Sequence, residues 1–293
     1  MDKFQRKYLL RVAKAEGSNE VLDIATPFSC DFNIMRSING SANTGSFTIY
    51  NLNPDTRKLI YKDPFSIELR SIQFFAGYDN DGNANLPMLF NGFVKQAESY
   101  RQGPDFLTVI EAFDGGYAMT EGQAQTTVNA GQKIQDVLSG LMKALPGIDG
   151  ATVGDGYEDV TKRGQTIFGS PTEYLRTVTR NRFFIDKNRA YVLADDEILP
   201  GDIGKIDAST GLIGTPRKNK QTVEVELIFE PRVTICQALE LESITFPEAT
   251  GTYRVIEIEH QGLISPQVDG RVTTRLKLQI PPDSKLFKLV RPS

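Results

Sequence analysis

The chain has 293 residues, of which 40% are hydrophobic and 24% are charged, and its formal charge is −4. These proportions are those of ordinary globular proteins and exclude wholesale disorder and fibrous repeats. Asp and Glu outnumber Lys and Arg by 37 to 33, so the cationic excess that drives general binding to nucleic acid is absent. At about 100–200 residues per domain, the length predicts two or three domains.

Nothing in the sequence indicates a targeting segment or a disulfide framework. No window approaches the roughly 18 apolar residues of a membrane span, and residues 1–6 lack the apolar core of a signal peptide. We therefore expect synthesis and folding in the cytoplasm. Cys30 and Cys236, the only cysteines, lie in opposite halves without CxxC spacing. Both are expected to be small buried apolar residues.

Alternation of apolar and polar residues predicts strands through residues 1–115. A helix is predicted over 56–60, because Asn53, Pro54 and Asp55 favour a turn that enters a helix. The predicted strands are 7–12, 28–34, 46–52, 66–77, and a hairpin of 90–94 with 107–112 around a turn at 101–105.

The period changes in residues 116–195. Apolar residues spaced by three and four predict an amphipathic helix over 132–145, which Pro146 and Gly147 stop. A second helix is predicted to begin at Ser170, where Ser170 caps, Pro171 takes the first helical position and Glu173 completes a capping box. A hairpin over 183–193 follows. This segment is therefore predicted to be a small α/β insertion.

Strand patterns return after residue 196. Residues 222–229 alternate, and 253–260 with 272–280 predict a long hairpin. The tail 283–293 is expected to stay flexible until it docks. Each β half ends in a long hairpin whose first strand begins at a glycine, Gly92 or Gly251, and whose second contains threonine, so the halves are candidates for an internal repeat.

Several short segments around these turns and strands resemble the baseplate hub proteins of tailed phages, the tail-tube-like, late control protein D-like family. They are Pro27–Ile34, Asn43–Leu52, Phe75–Tyr78, Phe90–Gly92, Phe183–Asp186 and Gly211–Pro216. The resemblance runs through nearly the whole chain. These segments form turns and strands and contain no catalytic motif.

The resemblance implies a fold and a set of partners. Hubs of this family are homotrimers with two tail-tube-like β domains per subunit, so three subunits give six similar domains and match a threefold spike to a sixfold tube. It implies an α+β fold with two β-barrel domains, 1–115 and 196–293, around the insertion 116–195. Expected partners are two further copies, the tail tube protein, the central spike and surrounding baseplate proteins, with DNA passing through the lumen unbound.

Residues that suggest chemistry have simpler interpretations. His260 ends a predicted strand and lacks a placed nucleophile or carboxylate, so we interpret it as a strand-end or interface residue. Asp79, Asp81 and Asn83 differ from a calcium loop, because glycine is displaced to Gly82 and the twelfth position is Phe90. A solvated turn is the favoured interpretation.

Two further runs are interpreted as loops, and a third is rejected as a phosphate-binding loop. Asp195, Asp196 and Glu197 alternate in direction on an extended chain and do not converge on one ion. Gly211–Gly214 lacks the lysine-serine or lysine-threonine pair of a phosphate loop. The basic run Arg217–Lys220 is interpreted as an exposed loop face, with contact to nucleic acid or an acidic partner as the alternative. No catalytic, cofactor-binding or metal-binding residue is assigned.

The sequence therefore predicts a structural, non-enzymatic virion protein: the trimeric hub of a baseplate, preferably in a contractile tail. The alternatives are a tail-associated peptidoglycan hydrolase, a secretion-system spike-base protein and a carbohydrate-binding tip module. No flanking pair of carboxylates marks a glycosidase cleft, and the absence of tryptophan counts against a sugar-binding platform. Unpaired strand edges are the sharper functional signal, because a neighbouring subunit can cover them.

Overall fold

The computed structural model describes residues 5–79, 86–202, 204–282 and 287–291, and it is mostly β with four short α-helices in those ranges. None of the helices in these ranges combines the length and the apolar character that a membrane crossing requires. The helices are α1 (Pro54–Ile60), α2 (Gly116–Thr120), α3 (Ile134–Lys143) and α4 (Pro171–Thr179).

The strands of the first half reach residue 114. They are β1 (Arg6–Ala13), β2 (Val21–Ala25), β3 (Cys30–Ser37), β4 (Asn43–Tyr50), β5 (Ser71–Tyr78), β6 (Met88–Gln102) and β7 (Asp105–Asp114). The insertion adds β8 (Ala124–Val128), β9 (Gly150–Val153), β10 (Gln165–Gly169), β11 (Phe183–Asp186) and β12 (Arg189–Val192). The remainder are β13 (Glu197–Ile198), β14 (Lys205–Ile206), β15 (Leu212–Lys218), β16 (Thr222–Ile228), β17 (Ala238–Leu241), β18 (Gly251–Ile264), β19 (Val272–Gln279) and β20 (Lys288–Leu289).

One sheet runs through both halves of the chain. Its order is β15-β16-β19-β18-β3-β4-β7-β6-β5-β1-β2, with β17 and β14 attached beside β18. The halves meet where β18 pairs antiparallel with β3, from Glu257 opposite Ser37 to Ile264 opposite Cys30. The two tail-tube-like β-barrels that were expected are not seen as closed barrels: the sheet is an open path from β15 to β2, and β3 and β18 join its two halves.

Two sets of four strands in this sheet have the same connectivity. In the first, hairpins β3-β4 and β6-β7 pair through β4 and β7; in the second, hairpins β15-β16 and β18-β19 pair through β16 and β19. Each long hairpin carries a bulge near its start, between Val94 and Gln96 in β6 and between Val255 and Glu257 in β18. The fold therefore repeats its sheet within one chain.

Three clusters of buried apolar side chains fill the interior. The first lies under β1 to β7, and the Phe74 ring meets Phe32 at 5.0 Å and Phe47 at 4.8 Å between centroids. Phe229 comes from the second half, yet it packs in this cluster against Phe32 and Tyr78. The second cluster lies under β16 to β19 and includes Phe184, Tyr191 and Leu193 of the insertion, and the third lies within the insertion.

The predicted helices are confirmed, together with the caps that explain their starts. The Asn53 side chain accepts from the Thr56 amide at 2.8 Å to begin α1. The Ser170 hydroxyl accepts from the Glu173 amide at 3.4 Å, with Pro171 in the first turn of α4. Side-chain acceptors at these positions satisfy amides that have no partner inside the helix.

Several strand boundaries differ from the prediction: β6 extends to Gln102 and β18 to Ile264. The strand predicted over 66–77 begins at Ser71, because Val94 donates its amide to Arg70 and Lys62 bridges Ala97, so the preceding segment crosses beside β6 without entering the ladder. The tail is docked where it is described: β20 runs parallel to β13, with Lys288 opposite Glu197.

Candidate functional site

The outer face of eight adjacent strands, β15 to β6 in sheet order, is polar. Alternate residues point away from the apolar clusters, and many are charged. Carboxylates outnumber cations on this face, which keeps it acidic. Its carboxylates are Asp31, Glu98, Glu111, Glu224, Glu226, Glu257 and Glu259, and its cations are Lys95, Arg217, Arg271, Arg275 and Lys277.

Charges of opposite sign lie side by side across this polar face. Glu226 is opposite Arg275, which in turn is opposite Glu259. The Arg275 guanidinium is 3.4 Å from the Glu259 carboxylate and 3.8 Å from that of Glu226. The Arg275 side chain is 51% exposed and the Glu226 and Glu259 side chains are partly exposed, so each pair adds little stability, about 0–1 kcal/mol. Their effect is to leave a hydrated surface whose net charge repels anions such as phosphate.

Two free edges border the eight strands. In the described ranges β15 pairs only with β16, and the part of β6 after Ala97 pairs only with β7. Ala97 itself is bridged by Lys62, and every residue from Glu98 to Gln102 is exposed. Unpaired strand edges of this kind are sites where another strand can pair with the sheet.

A buried polar cluster lies where the insertion meets the first half. The Arg36 guanidinium donates to both Asp186 oxygens at 2.7 Å, and Asp114 accepts from the Lys187 amide at 2.5 Å and the Asn188 amide at 2.8 Å. Asn43 donates to both carboxylates, at 3.1 Å to Asp114 and 3.2 Å to Asp186. These bonds fix the β11-β12 turn on the ends of β3, β4 and β7.

The electrostatics of this cluster follow from burial. Burial and the neighbouring Asp186 raise the pKa of Asp114 to about 7. Burial also acts to raise the pKa of Asp186, but the Arg36 guanidinium more than offsets this and the pKa lies below its usual value. Burial and repulsion by Arg36 lower the pKa of Lys187 to about 8. Each carboxylate is occupied by protein donors, so the cluster is suited to holding two parts of the fold together.

His260 is not at a strand end as predicted, because β18 continues to Ile264 and pairs on both sides. The ring is completely buried, its Nδ1 lies 2.9 Å from the Thr274 hydroxyl, and it packs edge-on against Phe229. Burial, with repulsion from Arg36 and Lys187, lowers its pKa well below the ordinary value. A neutral, enclosed imidazole of this kind is part of the core packing.

The three acidic residues at the end of the insertion point in different directions, and the predicted solvated loop was wrong for Glu197, which lies in β13 and is buried. Asp195 pairs with Arg182 at 2.8 Å and Asp196 with Lys288 at 3.4 Å. Glu197 turns inward and accepts from the Ala194 amide at 2.7 Å. In the described part of the chain, no group of three or more His, Cys, Asp or Glu is placed to hold a metal ion.

The remaining candidates have structural positions. Asp81 and Asn83 of the proposed polar turn lie outside the described residues, while Asp79 forms an ion pair with Lys7. Gly211–Gly214 leads into β15, and Arg217 and Lys218 end that strand instead of forming a loop. Cys30 and Cys236 are buried as predicted, and burial raises the pKa of both thiols.

Sequence reasoning missed the buried cluster around Arg36. Arg36 follows the alternating segment that became β3 and has the parity of its buried residues, Ile34 and Phe32. A charged residue at an inward position was the available signal, because such a group needs a partner when buried. Its partner Asp186 is distant in sequence, so the pairing itself could not be inferred.

This chain resembles one known protein family and several solved structures. A family model described as baseplate hub gp41 matches residues 9–266. A search of curated protein sequences gave no match. Solved structures nonetheless share the fold.

Two of these are tail proteins. One is from Neisseria meningitidis MC58, with a TM-score of 0.61, 9% identity and coverage of 93% of this chain and 96% of that one. The other is the 43 kDa tail protein of prophage MuSo2 from Shewanella oneidensis, with a TM-score of 0.61, 8% identity and coverage of 94% and 99%.

A third similar structure is the lidded Francisella PdpA-VgrG complex, with a TM-score of 0.60, 10% identity and coverage of 97% of this chain and 55% of that one. At such identities these structures show a shared fold, while the family match spans most of the chain. The chain belongs to the baseplate hub gp41 family of phage tail proteins.

Proposed function

We propose that the chain is one subunit of a trimeric hub that joins the tail tube to the central spike and lets DNA pass. The repeated four-stranded sheet carries this proposal. Three copies would present six similar sheets, and a ring of six can face a sixfold tube while its subunits face a threefold spike.

The domain boundaries belong to the same proposal. Residues 1–115 and 196–293 are two tube-like units that share the β3-β18 ladder, and 116–195 is an insertion outside the ring. The third apolar cluster lies within the insertion, which supports a core of its own there, while Phe184, Tyr191 and Leu193 attach the insertion to the second cluster. The Arg36–Asp186 pair is its principal polar attachment to the sheet.

The polar outer face of the eight strands is proposed to line the channel. DNA carries one charge per about 1.7 Å of its axis, so a lining with excess cations would hold it by counterion release. The face has excess carboxylates, and three of its cations are paired with them: Lys95 with Glu111, Arg271 with Glu226, and Arg275 with Glu226 and Glu259. DNA would therefore slide through a hydrated, weakly repulsive lumen.

The proposed role is structural, and the proposed location is the virion. Of the tail types, we favour a contractile tail. Assembly is proposed to take place in the host cytoplasm, with the tube, spike and surrounding baseplate proteins as partners. The likeness to the Francisella complex supports a secretion-system spike base as the second candidate.

The test is the mass of the full-length chain by light scattering, alone and co-assembled with tube and spike proteins, followed by electron microscopy of the assembly. A trimeric ring between tube and spike is expected. Monomers in every preparation would contradict the proposal. A cell-wall digestion assay separates the hydrolase alternative, for which lysis by the purified chain is the decisive result.

A further inference from the structure

The β18-β3 ladder inside the chain provides a template for a contact between chains. It joins the last strand of one four-stranded repeat to the first strand of the other, with His260 opposite Ile34 and Gln261 opposite Asn33. Each repeat also has a second outer strand, β6 in the first and β15 in the second, and the two free edges are β15 and the part of β6 after Ala97. If one junction forms within the chain, the equivalent junction can form only with a neighbouring copy.

The repeats can be matched residue by residue from their pairing. After the bulges, Gln96 lies opposite Glu111 in the first repeat and Glu257 lies opposite Lys277 in the second, so Gln96 corresponds to Glu257. Counting onward, Ser99 corresponds to His260 and Tyr100 to Gln261. The side chains support this match: Ser99 and Thr108 hydroxyls lie 2.9 Å apart, as do His260 Nδ1 and the Thr274 hydroxyl.

The same counting aligns the opposite edge. Ser46 lies opposite Glu111 and Glu224 opposite Lys277, so Ser46 corresponds to Glu224. Asn33 is opposite Ser46, and Arg217 is opposite Glu224. Arg217 therefore occupies in β15 the place that Asn33 occupies in β3.

We propose that the free edge of β6 in one copy pairs antiparallel with β15 of the next copy, in the register of β18 with β3. Tyr100 then lies opposite Arg217 of the neighbouring copy, and Ser99 lies opposite its Lys218. This inference rests on the proposed ring, and it names the strands and residues that close it.

The chemistry of the two edges is complementary. Glu98 and Tyr100 share one face of β6, so Arg217 of the next copy is placed opposite the Tyr100 ring and diagonal to the Glu98 carboxylate. Pro216, beside Arg217, has no amide hydrogen, so this ladder has fewer backbone hydrogen bonds than β18-β3. The joint therefore depends more on these side chains.

Exposed apolar groups flank both edges. Phe65 and Ile67 are 91% and 88% exposed in the segment that follows the Lys62 bridge beside β6. On the other side, Ile244 is 82% exposed in the loop before Pro247–Ala249, which contacts β15. Large apolar side chains left in water beside open edges are typical of a surface that a partner covers.

The inference is tested by disulfide trapping in the full-length chain. The pair Tyr100→Cys with Arg217→Cys is oxidised under mild conditions, alone and co-assembled with tube and spike proteins. Neither native cysteine should compete, because both are fully buried. We expect covalent dimers and trimers on a denaturing gel, released by reductant.

Two matched variants control the geometry. Asn33→Cys with Gln261→Cys places cysteines opposite each other in the internal ladder, so it should form a disulfide within the chain and no covalent oligomers. Tyr100→Cys with Asn33→Cys should form neither, because Gln261 already occupies the position opposite Asn33. A melting curve for each variant establishes that it is folded.

The outcomes separate this inference from the proposed function. A trimer in which the internal pair forms and the Tyr100/Arg217 pair does not would overturn the joint while the ring stands. Monomers in every preparation would overturn the ring, and the joint with it. Crosslinking of the Tyr100/Asn33 pair at the same rate as Tyr100/Arg217 would overturn the register.

Discussion

The Arg36 guanidinium binds both oxygens of Asp186 through two hydrogen bonds of 2.7 Å, joining strand β3 to the insertion hairpin. Both side chains are nearly removed from solvent, at 2% and 11% exposure. Each of these two charges is tolerated in the interior because the other one is hydrogen-bonded to it.

The first prediction concerns removal of one partner. Arg36→Met leaves Asp186 buried without its cation, and we expect unfolding free energy to fall by about 3–5 kcal/mol. Arg36→Met combined with Asp186→Leu should recover much of this, because no lone charge remains. Urea denaturation measures both.

Arg11→Met is the matched control, since the Arg11–Asp23 pair is bidentate but exposed. It should cost at most about 1 kcal/mol. Equal losses in Arg11→Met and Arg36→Met would contradict the importance of burial at the insertion junction.

Local patterns were the part of this fold that the sequence could predict. Helices α3 and α4 follow from apolar spacing and from the Ser170 cap, because these signals lie within one turn of the residues they affect. The hairpins β6-β7 and β18-β19 follow from alternation and short turns. The β3-β18 pairing joins residues separated by most of the chain, and no local signal specifies such a partner. The two β-barrel domains were an implication of the family resemblance, which does not specify this pairing either.

Some features of the candidate site were also predictable from the sequence, and others were not. The excess of Asp and Glu over Lys and Arg indicated a surface that does not bind DNA. Unpaired strand edges were expected to be the functional feature. Which residues form those edges depended on knowing that β6 and β15 are outermost in their repeats. His260 was placed at a strand end because the predicted strand was 253–260, whereas β18 continues through Gly262, which pairs with Val272.

The second prediction concerns pH. The pKa of His260 is lowered in the folded chain, so below its unfolded value of about 6.5 the unfolded state binds more protons than the folded state. The contribution of His260 to the free energy of unfolding is therefore at its full value above about pH 6.5. It decreases as the pH falls toward the pKa of the folded state, by up to about 1.4 kcal/mol per pH unit.

His260→Asn removes this titration while keeping a polar group near Thr274. Comparing urea unfolding at pH 7.5 and pH 5 should show a smaller loss for the variant than for the original chain. Identical pH dependence would mean that the imidazole becomes protonated as easily in the folded chain as in the unfolded one.

The third prediction concerns the polar face. The original assembly should not retain duplex DNA at about 0.15 M salt, since its cations are balanced by carboxylates. Glu226→Lys with Glu259→Lys surrounds Arg275 with cations and should produce binding that weakens steeply as salt rises. A filter-retention assay at several salt concentrations measures this.

The control for DNA binding is Glu158→Lys with Asp159→Lys, which makes the same charge change on exposed residues of the insertion. It should bind less tightly than the face variant. Equal binding would show that net charge alone decides retention, and tight binding by the original chain would contradict the acidic lumen.

The last prediction concerns the independence of the insertion. Leu141 is 4% exposed and belongs to the third apolar cluster, with Met142, Leu145 and Leu175. Leu141→Asp places an unpaired carboxylate there and should cost several kcal/mol, so residues 116–195 should become sensitive to protease. The oligomer should persist, because the edges β6 and β15 lie outside this cluster.

Lys143→Asp, on the exposed side of the same helix, is the control and should cost less than about 1 kcal/mol, mostly through the unfavourable charge at the helix end. Limited proteolysis and sizing before and after digestion measure both effects. Loss of the oligomer in Leu141→Asp at the same protease dose that opens the insertion would mean that residues 116–195 form part of the ring. Such a result would contradict the placement of the insertion outside it.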